Sequence, residues 1–286
     1  MTAMATPVRR RQIRDADVEA IVDLLTEGFT DRTRDYWARA LEILATRDAP
    51  EGYPRFGYML EAGGEPVGVI LLIYSRPIEA GAPVRCNLSS WYVREAFRGY
   101  ATLLLAAAIG MKDVTYVNSS AARYTWPILD SLGYVRYGQG QFVAVPAASP
   151  KGFGARVREV TAASADLALP EADLLAAHAQ AGCVSLICET REGALPFVFI
   201  RWRLKSRLKM MRLIYCRDTA DFVRCAGPIG RFLLRRGVSA VALDAVAPVA
   251  GLPGRYFPGA EPKYFVGPTA PRLNDLTFTE SVLFGI

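Results

Sequence analysis

The residues with the clearest potential for chemistry lie in the segment SSWYVREAFRGYATLLLAAA, residues 89–108. The apolar residues up to Val93 are typical of a strand, and the run after Gly99 is typical of a helix buried against a sheet. The basic residues Arg94 and Arg98 stand between them. Because the first N–H groups and the positive dipole end of a helix attract phosphate, and glycine lets a ligand approach the backbone, this segment predicts an anion-binding turn.

A second informative segment is VTYVNSSAARYTWPILDSLGYVRY, residues 114–137. Its first five residues predict a strand that ends at Asn118, and the stretch from Thr125 predicts a helix that stops at Gly133. Asparagine is common in turns, because its side chain hydrogen-bonds the nearby backbone. Asn118 is therefore either a turn former or a ligand contact.

These two segments, in their place after three strands and two helices, resemble the cofactor-binding region of the GCN5-related N-acetyltransferase superfamily over residues 8–145. The turn of that family reads Gln/Arg-x-x-Gly-x-Gly/Ala. Arg98 matches its first position, Ala101 stands at the first glycine and Leu103 at the last small residue. The family's Leu-Gly-Phe/Tyr signature is matched by residues 132–134, which read Leu-Gly-Tyr.

The resemblance implies an acyl-CoA co-substrate, either acetyl-CoA or a longer acyl-CoA, whose pyrophosphate binds the backbone amides of the turn. It also implies that the preceding strand splays to accept the pantetheine arm. The residues it places at the cofactor are Val93, Arg98, Gly99, Tyr100, Ala101, Thr102 and Asn118. Many members carry a general-acid tyrosine at the position of Leu129, and Tyr124 is the nearest substitute here. A long-chain or carrier-protein donor stays open.

The proton acceptor of the reaction has no evident position in the sequence. The strand that supplies a carboxylate in the family carries Asn87, Ser89 and Ser90 here. Proton removal would then proceed through water or through a residue of the second half, such as Asp244 or Glu280.

Leu103, at the last small position of the family turn, is expected to crowd the pyrophosphate of the cofactor.

The order of predicted elements repeats along the chain, which indicates two domains, at residues 1–148 and 149–286, with a linker at 147–154. The expected fold class is α/β (α+β), a tandem acyl-CoA N-acyltransferase-like fold with a mixed central sheet flanked by helices in each half. The second half resembles the family only in its order of elements. Its turn after Cys216 lacks the phosphate pattern, and Pro228 is expected to interrupt the following helix. We therefore interpret it as a degenerate domain that shapes the acceptor site.

The proline- and glycine-rich residues 251–268 predict a long irregular loop over that site, followed by a last strand near LTFTESVLF. The stretch RWRLKSRLK, residues 201–209, alternates basic and mostly apolar residues along one expected strand. Its basic face, formed by Arg201, Arg203, Lys205, Arg207 and Lys209, is either a solvated surface or a shelf for an anionic ligand.

Composition narrows the class of protein further. The chain has 286 residues, 51% of them hydrophobic and 22% charged, as in a globular protein. No apolar run reaches the roughly 18 residues that cross a bilayer, and no apolar signal core follows the basic N-terminal residues, so we expect a cytoplasmic protein. Five cysteines without a CxxC pair and one histidine, His178, predict buried thiols, a structural histidine and no metal site.

The formal charge of +6 suits an anionic ligand, and contact with an anionic membrane surface stays open. No nucleic-acid motif accompanies the charge, so nucleic acid is not expected as a partner. Two functions remain. One is an N-acyltransferase acting on a small-molecule amine or amino-acid-like acceptor. The other is a noncatalytic protein of the same fold that binds or senses an acyl or nucleotide ligand. The oligomeric state is not predicted.

Overall fold

A computed structural model describes residues 7–164, 168–203 and 209–285. The chain forms two compact units. The first comprises residues 1–118, 266–269 and 278–286, and the second comprises residues 119–265 and 270–277. This division differs from the expected change of domain at 148–149, because the strand at Val135–Ala144 pairs with later strands of the second unit.

The first unit begins with the elements whose apolar spacing was evident in the sequence. They are β1 (Val8–Gln12), α1 (Val18–Gly28), α2 (Arg34–Thr46), β2 (Gly57–Ala62), β3 (Glu65–Ser75), β4 (Val84–Val93), α3 (Ala101–Ala108) and β5 (Val114–Asn118). Strands β1 to β4 pair in antiparallel order, and β5 pairs with β4 in parallel. Gly63 and Gly64, both with positive φ, form the turn between β2 and β3.

One face of the first sheet packs against α1 and α2. The core there contains Ile21 and Leu25 of α1, Leu41 of α2, and Val69 and Leu71 of β3. Side chains alternate across a strand, so Ile70 and Leu72 of β3 point to the other face of the sheet. The helix α3 packs against β2 and β3.

The second unit repeats this order. Its elements are α4 (Trp126–Ser131), β6 (Val135–Ala144), β7 (Arg156–Val160), α5 (Ala172–Gln180), β8 (Val184–Thr190), β9 (Gly193–Arg203), β10 (Lys209–Cys216), α6 (Thr219–Leu234), β11 (Ala240–Ala245) and β12 (Gly254–Val266). Strands β7 to β10 pair in antiparallel order and β11 pairs with β10 in parallel, as in β1 to β5. The predicted mixed sheet flanked by helices is therefore confirmed in each unit.

Three expectations about the second half are wrong. Residues 251–268 are not an irregular loop, because β12 runs through them and pairs with β6; only the register is irregular, between Pro258 and Lys263. The segment LTFTESVLF contains the short helix α7 (Glu280–Leu283) and no strand. Helix α6 continues through Pro228 and ends at Leu234, and the carbonyl oxygen of Arg224 lies near the proline ring beside Gly152.

Other expectations about single residues agree with the structure. All five cysteines are buried and free. His178 is buried, and its Nδ1 lies 2.8 Å from the carbonyl oxygen of Leu174 one turn earlier. Of the basic face predicted at residues 201–209, Arg201 and Lys209 are exposed, whereas residues 204–208 and the side chain of Arg203 lie outside the described part of the chain.

Within the described ranges, no helix is both long and apolar enough to cross a membrane.

Candidate functional site

A β-bulge interrupts β4 just before the turn that was predicted to bind anions. Tyr92 pairs with Val69 of β3, but Ser89 pairs with Leu71, so β4 contains one residue more than its partner between these two pairs. Ser90 has φ 50°, in the left-handed region that non-glycine residues rarely adopt. A bulge bends its strand and redirects the residues around it, and it often lies next to an active site.

The pairing of β4 with β5 ends where this bend begins. The two parallel strands are in register only from Val84 opposite Val114 to Asn87 opposite Val117. From Leu88 onwards β4 no longer pairs with β5, whose last residue is Asn118, toward the end of the sheet where the basic turn follows. A strand edge without a paired neighbour leaves backbone amide groups that a linear molecule can reach. The splay of this strand that the resemblance implies stays a prediction.

The basic turn is wound rather than open. Residues Glu95–Tyr100 form a 3₁₀-helix that continues directly into α3. Within it, the N–H of Phe97 donates to the carbonyl of Arg94, and the N–H of Ala101 donates to the carbonyl of Arg98. None of the turn's residues is fully buried.

The turn is nevertheless open to a ligand on one side. A Cβ atom placed on Gly99 would meet nothing within 4 Å. The side chains of Tyr100 and Leu103 are 43% and 42% exposed, so Leu103 lies at the surface of α3. An exposed glycine, an arginine and the start of a helix suit a phosphate group, so the residues present fit the pyrophosphate of an acyl-CoA.

The two arginines of the turn have different surroundings. Arg94 forms a two-pronged ion pair with Glu27 of α1, with its Nη2 2.8 Å and its Nε 3.0 Å from Oε2. This hydrogen bond with Arg94 lowers the pKa of Glu27. Arg98 is exposed, and it forms no ion pair within the described part of the chain. The charge available to a phosphate therefore comes from Arg98, and Arg94 instead fixes the turn to α1.

Close packing of α1 against β4 positions this ion pair. A Cβ atom on Gly28, the last residue of α1, would lie 2.3–2.6 Å from the ring of Tyr92, so only glycine permits this approach. The hydroxyl of Tyr92 donates a 3.1 Å hydrogen bond to Glu27. Neither contact was predicted from the sequence, because Glu27 and Arg94 are far apart in the chain and each is ordinary in its own segment.

The second unit contains the same strand geometry but fills it with its own chain. In β10 there is a register shift between Leu213 and Tyr215, and β11 pairs with β10 only from Met210 to Arg212. Residues 274–277 occupy the place beyond these pairs. The carbonyl of Asn274 accepts from the N–H of Cys216, and the N–H of Leu276 donates to the carbonyl of Ile214.

The inserted segment also bonds to β11 on its other side. The side chain of Asn274 accepts from the N–H of Asp244 at 2.7 Å and donates to its carbonyl at 3.1 Å. At the start of α6, the carboxylate of Asp218 accepts from the N–H of Ala220 at 3.0 Å, where a phosphate would otherwise bind. The cleft of the second unit is thus closed to a linear ligand, and its helix start carries a negative charge.

The predicted acid and its surrounding helix belong to the second unit. Tyr124 lies in the 3₁₀-helix Arg123–Thr125, with 77% of its surface exposed. Leu129, at the family's tyrosine position, is buried. The helix α4 stops as predicted, because Gly133 has φ 78° and the N–H of Tyr134 returns to the carbonyl of Leu129. No observation assigns Tyr124 a role, so its catalytic role stays a prediction.

The two carboxylates considered as proton acceptors are both buried. Asp244 accepts hydrogen bonds from Arg212, at 3.0 Å, and from Gln141. Its ammonium neighbour Lys263 is fully buried 4.0 Å away, and burial lowers the pKa of that lysine to about 8. Glu280 is 2% exposed and lies in the first unit. Asp244 is therefore part of a charged cluster inside the second unit rather than a free base.

Comparisons with known proteins agree with this geometry. Neither a protein-family profile nor a curated protein matches the sequence. Solved structures do match: the GCN5-related N-acetyltransferase of Kribbella flavida (TM-score 0.56, 14% identity) covers 91% of this chain and 71% of its own. That of Anabaena variabilis (TM-score 0.57, 11% identity) covers 91% and 72%. Eis1 of Mycobacterium abscessus (TM-score 0.53, 12% identity) covers 94% and 74%.

The chain has the fold of the GCN5-related N-acetyltransferases. The N-acetyltransferase fold extends over both units, since each of these neighbours covers more than nine-tenths of the chain. At such low identity the likeness concerns the fold, and the chemistry has to be argued from the residues of this chain.

Proposed function

We propose that this protein is an acyl-CoA-dependent N-acyltransferase whose first unit binds the donor. The single observation that carries the proposal is the end of the pairing between β4 and β5 at Asn87, next to an exposed turn with Arg98 and Gly99. The fold neighbours are named N-acetyltransferases, which supports an acyltransferase reaction. The corresponding cleft of the second unit is filled by residues 274–277, which favours a single donor site in the first unit.

The proposed roles follow the geometry of the first unit. Arg98, Gly99 and Tyr100, with the following Ala101 and Thr102, would hold the pyrophosphate of acetyl-CoA or a longer acyl-CoA. Val93 and Asn118, at the ends of β4 and β5, would flank the mouth of the cleft. The acceptor would be a small-molecule amine or amino-acid-like compound.

The reaction transfers the acyl group by attack of the acceptor nitrogen on the thioester carbon. The new C–N bond forms as the C–S bond breaks, the sulfur leaves as a thiolate that takes up a proton, and the nitrogen loses one proton to a base. Tyr124 is the candidate proton donor. With Asp244 buried in ion pairs, water is the proposed base. Positioning of the two substrates would then supply much of the acceleration.

A thermal-shift panel with CoA, acetyl-CoA and longer acyl-CoAs tests donor binding directly, because a ligand that binds the native state raises the unfolding temperature. We expect a shift with at least one acyl-CoA and none with acyl-free pantetheine lacking phosphates. Absence of any shift with CoA and every acyl-CoA would contradict the proposal.

The sharpest variant pair is Gly99→Asp and Gly99→Asn, which have the same shape and differ in charge. Gly99 has open space around its Cβ position and no positive φ, so both variants should fold. We expect Gly99→Asp to bind CoA at least about tenfold more weakly than Gly99→Asn, a difference of roughly 1.4 kcal/mol. Isothermal titration measures both. Equal affinities would show that the turn is not the phosphate site.

The second candidate is a noncatalytic protein that binds an acyl or nucleotide ligand. It is favoured by Leu129, a buried residue at the position of the family's acid, and by the absence of a carboxylate on β4. Release of the CoA thiol in the presence of a panel of amines separates the two functions. Tight binding with no thiol release would support the noncatalytic candidate.

A further inference from the structure

A pocket of the first unit lies apart from the proposed donor site. It has a volume of about 380 Å³ and is formed where α2 and β3 end. Its lining residues are Arg47, Asp48, Ala49, Pro50, Glu51, Tyr74, Ser75, Arg76 and Phe278. This volume is in the range of small-molecule sites.

Arg47 is the unusual residue of this pocket. Of its five N–H donors, one Nη2 group donates to the carbonyl of Tyr74, and the buried Nε has no hydrogen-bond partner. No ion pair of Arg47 occurs among the described residues. Burial lowers the pKa of this guanidinium to about 10, although it remains protonated at neutral pH. Arg47 is half-buried, and its carboxylate neighbour Asp48 forms no ion pair with it, so a bound carboxylate would add a direct charge-assisted hydrogen bond to the guanidinium.

The rest of the lining restricts the kind of anion. Asp48, Glu51 and Arg76 are exposed at the pocket, so with Arg47 the lining carries two positive and two negative formal charges. This balance favours a molecule with one charge of each sign over a doubly charged anion such as phosphate. Ala49, Pro50 and Phe278 offer apolar surface. A molecule that carries one carboxylate, one ammonium group and an apolar side chain therefore matches all three parts of the lining.

Backbone strain marks the same place. Phe278 has φ 55°, which is a strained conformation for a bulky residue. Such conformations cost roughly 1–3 kcal/mol and are concentrated at ligand clamps and active sites. Phe278 lines the pocket in this conformation.

We propose that this pocket binds an α-amino acid with an apolar side chain, with its carboxylate on Arg47 and its ammonium group toward Asp48 and Glu51. The pocket is next to Ser75, which pairs with Arg85 at the start of β4, whereas the turn with Arg98 follows the other end of that strand. A strand of this length spans roughly 25–30 Å. The amino acid therefore binds far from the turn proposed to hold the phosphates, and its binding does not depend on the proposed function.

L-leucine is the probe, with two matched compounds that each lack one feature and one simple anion for comparison. 4-Methylpentanoate lacks the ammonium group, 3-methylbutylamine lacks the carboxylate, and inorganic phosphate has neither the ammonium group nor the side chain. Isothermal titration on the full chain should show L-leucine binding at least tenfold more tightly than each of the three. Equal or tighter binding of phosphate or 4-methylpentanoate, or no binding of L-leucine, would overturn the proposal.

Two arginine variants test the anchor. R47Q removes the charge in the pocket, while R55Q removes an exposed arginine that also donates to a single carbonyl, that of Ala45 at 3.2 Å, and does not line the pocket. We expect R47Q to lose at least tenfold in L-leucine affinity and R55Q to bind like the parent. Unchanged binding by a folded R47Q would overturn the proposal.

A double variant tests where the ammonium group of the amino acid binds. It also keeps the proposal testable if R47Q does not fold. D48N with E51Q removes both carboxylates from exposed positions. The preference for L-leucine over 4-methylpentanoate should then fall at least threefold. An unchanged preference would contradict the assignment of the ammonium group. CoA binding is measured in a separate titration, so a negative result for L-leucine at this pocket does not affect the conclusion about the donor site.

Discussion

At the scale of single residues, the turn after β4 contains two arginines that differ in what they contact. Arg94 is held by Glu27 and is engaged in the packing of α1, whereas Arg98 is exposed. A charge already paired with a carboxylate contributes little to a second anion, because the net charge at that point is near zero. The arginine that matches the family turn is thus also the one that is free to bind.

This difference gives a prediction for donor binding. Arg98→Gln should weaken CoA binding about three- to tenfold, or roughly 0.7–1.4 kcal/mol, and the loss should shrink at high salt. The double variant Arg94→Gln with Glu27→Gln is the matched control, because it removes the ion pair of the same turn without changing its net charge. It should change CoA affinity by less than twofold. Titration at two salt concentrations measures both, and a larger loss with the double variant would reverse the assignment.

The buried cluster of the second unit gives a prediction for stability and pH. The pKa of Lys263 is lowered to about 8 by burial and by the nearby charge of Arg212. Between pH 8 and the ordinary lysine pKa near 10.4, the unfolded chain binds a proton that the native chain does not, so stability rises with pH in this window. Below pH 8 Lys263 is protonated in both states, so burial of its charge lowers the free energy of unfolding by its full amount. The gain from pH 7 to 9.5 is about 2 kcal/mol.

Buried cysteines such as Cys86 and Cys216, whose pKa is raised by burial, change stability in the opposite direction over the same interval. The gain from Lys263 is therefore measured as the difference between the parent and Lys263→Met in urea unfolding at pH 7 and pH 9.5. Lys263→Met removes the group, so its free energy of unfolding should rise about 2 kcal/mol less than that of the parent over the same interval. Lys209→Met, which removes an exposed lysine, should behave like the parent. Identical pH dependence of the parent and Lys263→Met would show that the lysine titrates normally.

At the scale of elements, the bulge of β4 determines where the sheet opens. Ser90 adopts φ 50°, and the strand leaves its pairing with β5 after Asn87. The conformation costs a non-glycine residue roughly 1–2 kcal/mol, and it costs a β-branched residue more. The bulge therefore lowers the stability of β4 locally, and it provides an opening that a regular strand would lack.

Substitution at Ser90 tests the strain. Ser90→Gly should keep the bulge and raise the free energy of unfolding by up to about 1 kcal/mol, less whatever the lost contact between the hydroxyls of Ser89 and Ser90 contributed. Ser90→Val should lower it by roughly 1–2 kcal/mol, because valine fits the left-handed region poorly. Chemical denaturation ranks the three proteins. A Val variant as stable as the parent would mean that the bulge is unstrained.

Many of the helices and strands could be predicted from the sequence. A strand that ends at Val93 was expected and β4 ends there, because apolar residues precede a clearly marked turn. The bulge within it has no sequence signature, since serine is unremarkable at position 90. β12 was missed because proline and glycine usually mark loops, yet Pro258 and Pro262 lie at the irregularity in its register with β6, where fewer N–H donors are needed.

At the scale of the whole molecule, the elements around the candidate donor site could be predicted better than the contacts between them. The turn, the strand before it and the helix after it follow from local sequence, whereas the ion pair of Arg94 with Glu27 and the segment that fills the second cleft join residues distant in the chain. Local periodicity carries no information about such pairs. The same limit applies to residues 278–286, which belong to the first unit although they were expected to end the second domain.

The C-terminal residues give a prediction for the first unit. Phe284 is 8% exposed and packs in the core with α1 and α2. Phe284→Ala should lower the free energy of unfolding by about 3 kcal/mol. A fragment of residues 1–148 should be less stable than the first unit of the full chain. Phe153→Ala, at a position 97% exposed, is the control and should have little effect. Denaturant unfolding measures each, and a fragment as stable as the full chain would support the division at 148–149.

The return of residues 278–286 to the first unit also matters during synthesis. A ribosome adds about 5–20 residues per second, so roughly 8–30 s pass between emergence of Asn118 and that of Phe278. Throughout this time the apolar surface of α1 and α2 that Phe284 covers faces the crowded interior of the cell. The nascent chain is therefore expected to need a chaperone for longer than a protein whose first unit is contiguous, and its yield in a host should depend on the supply of such chaperones.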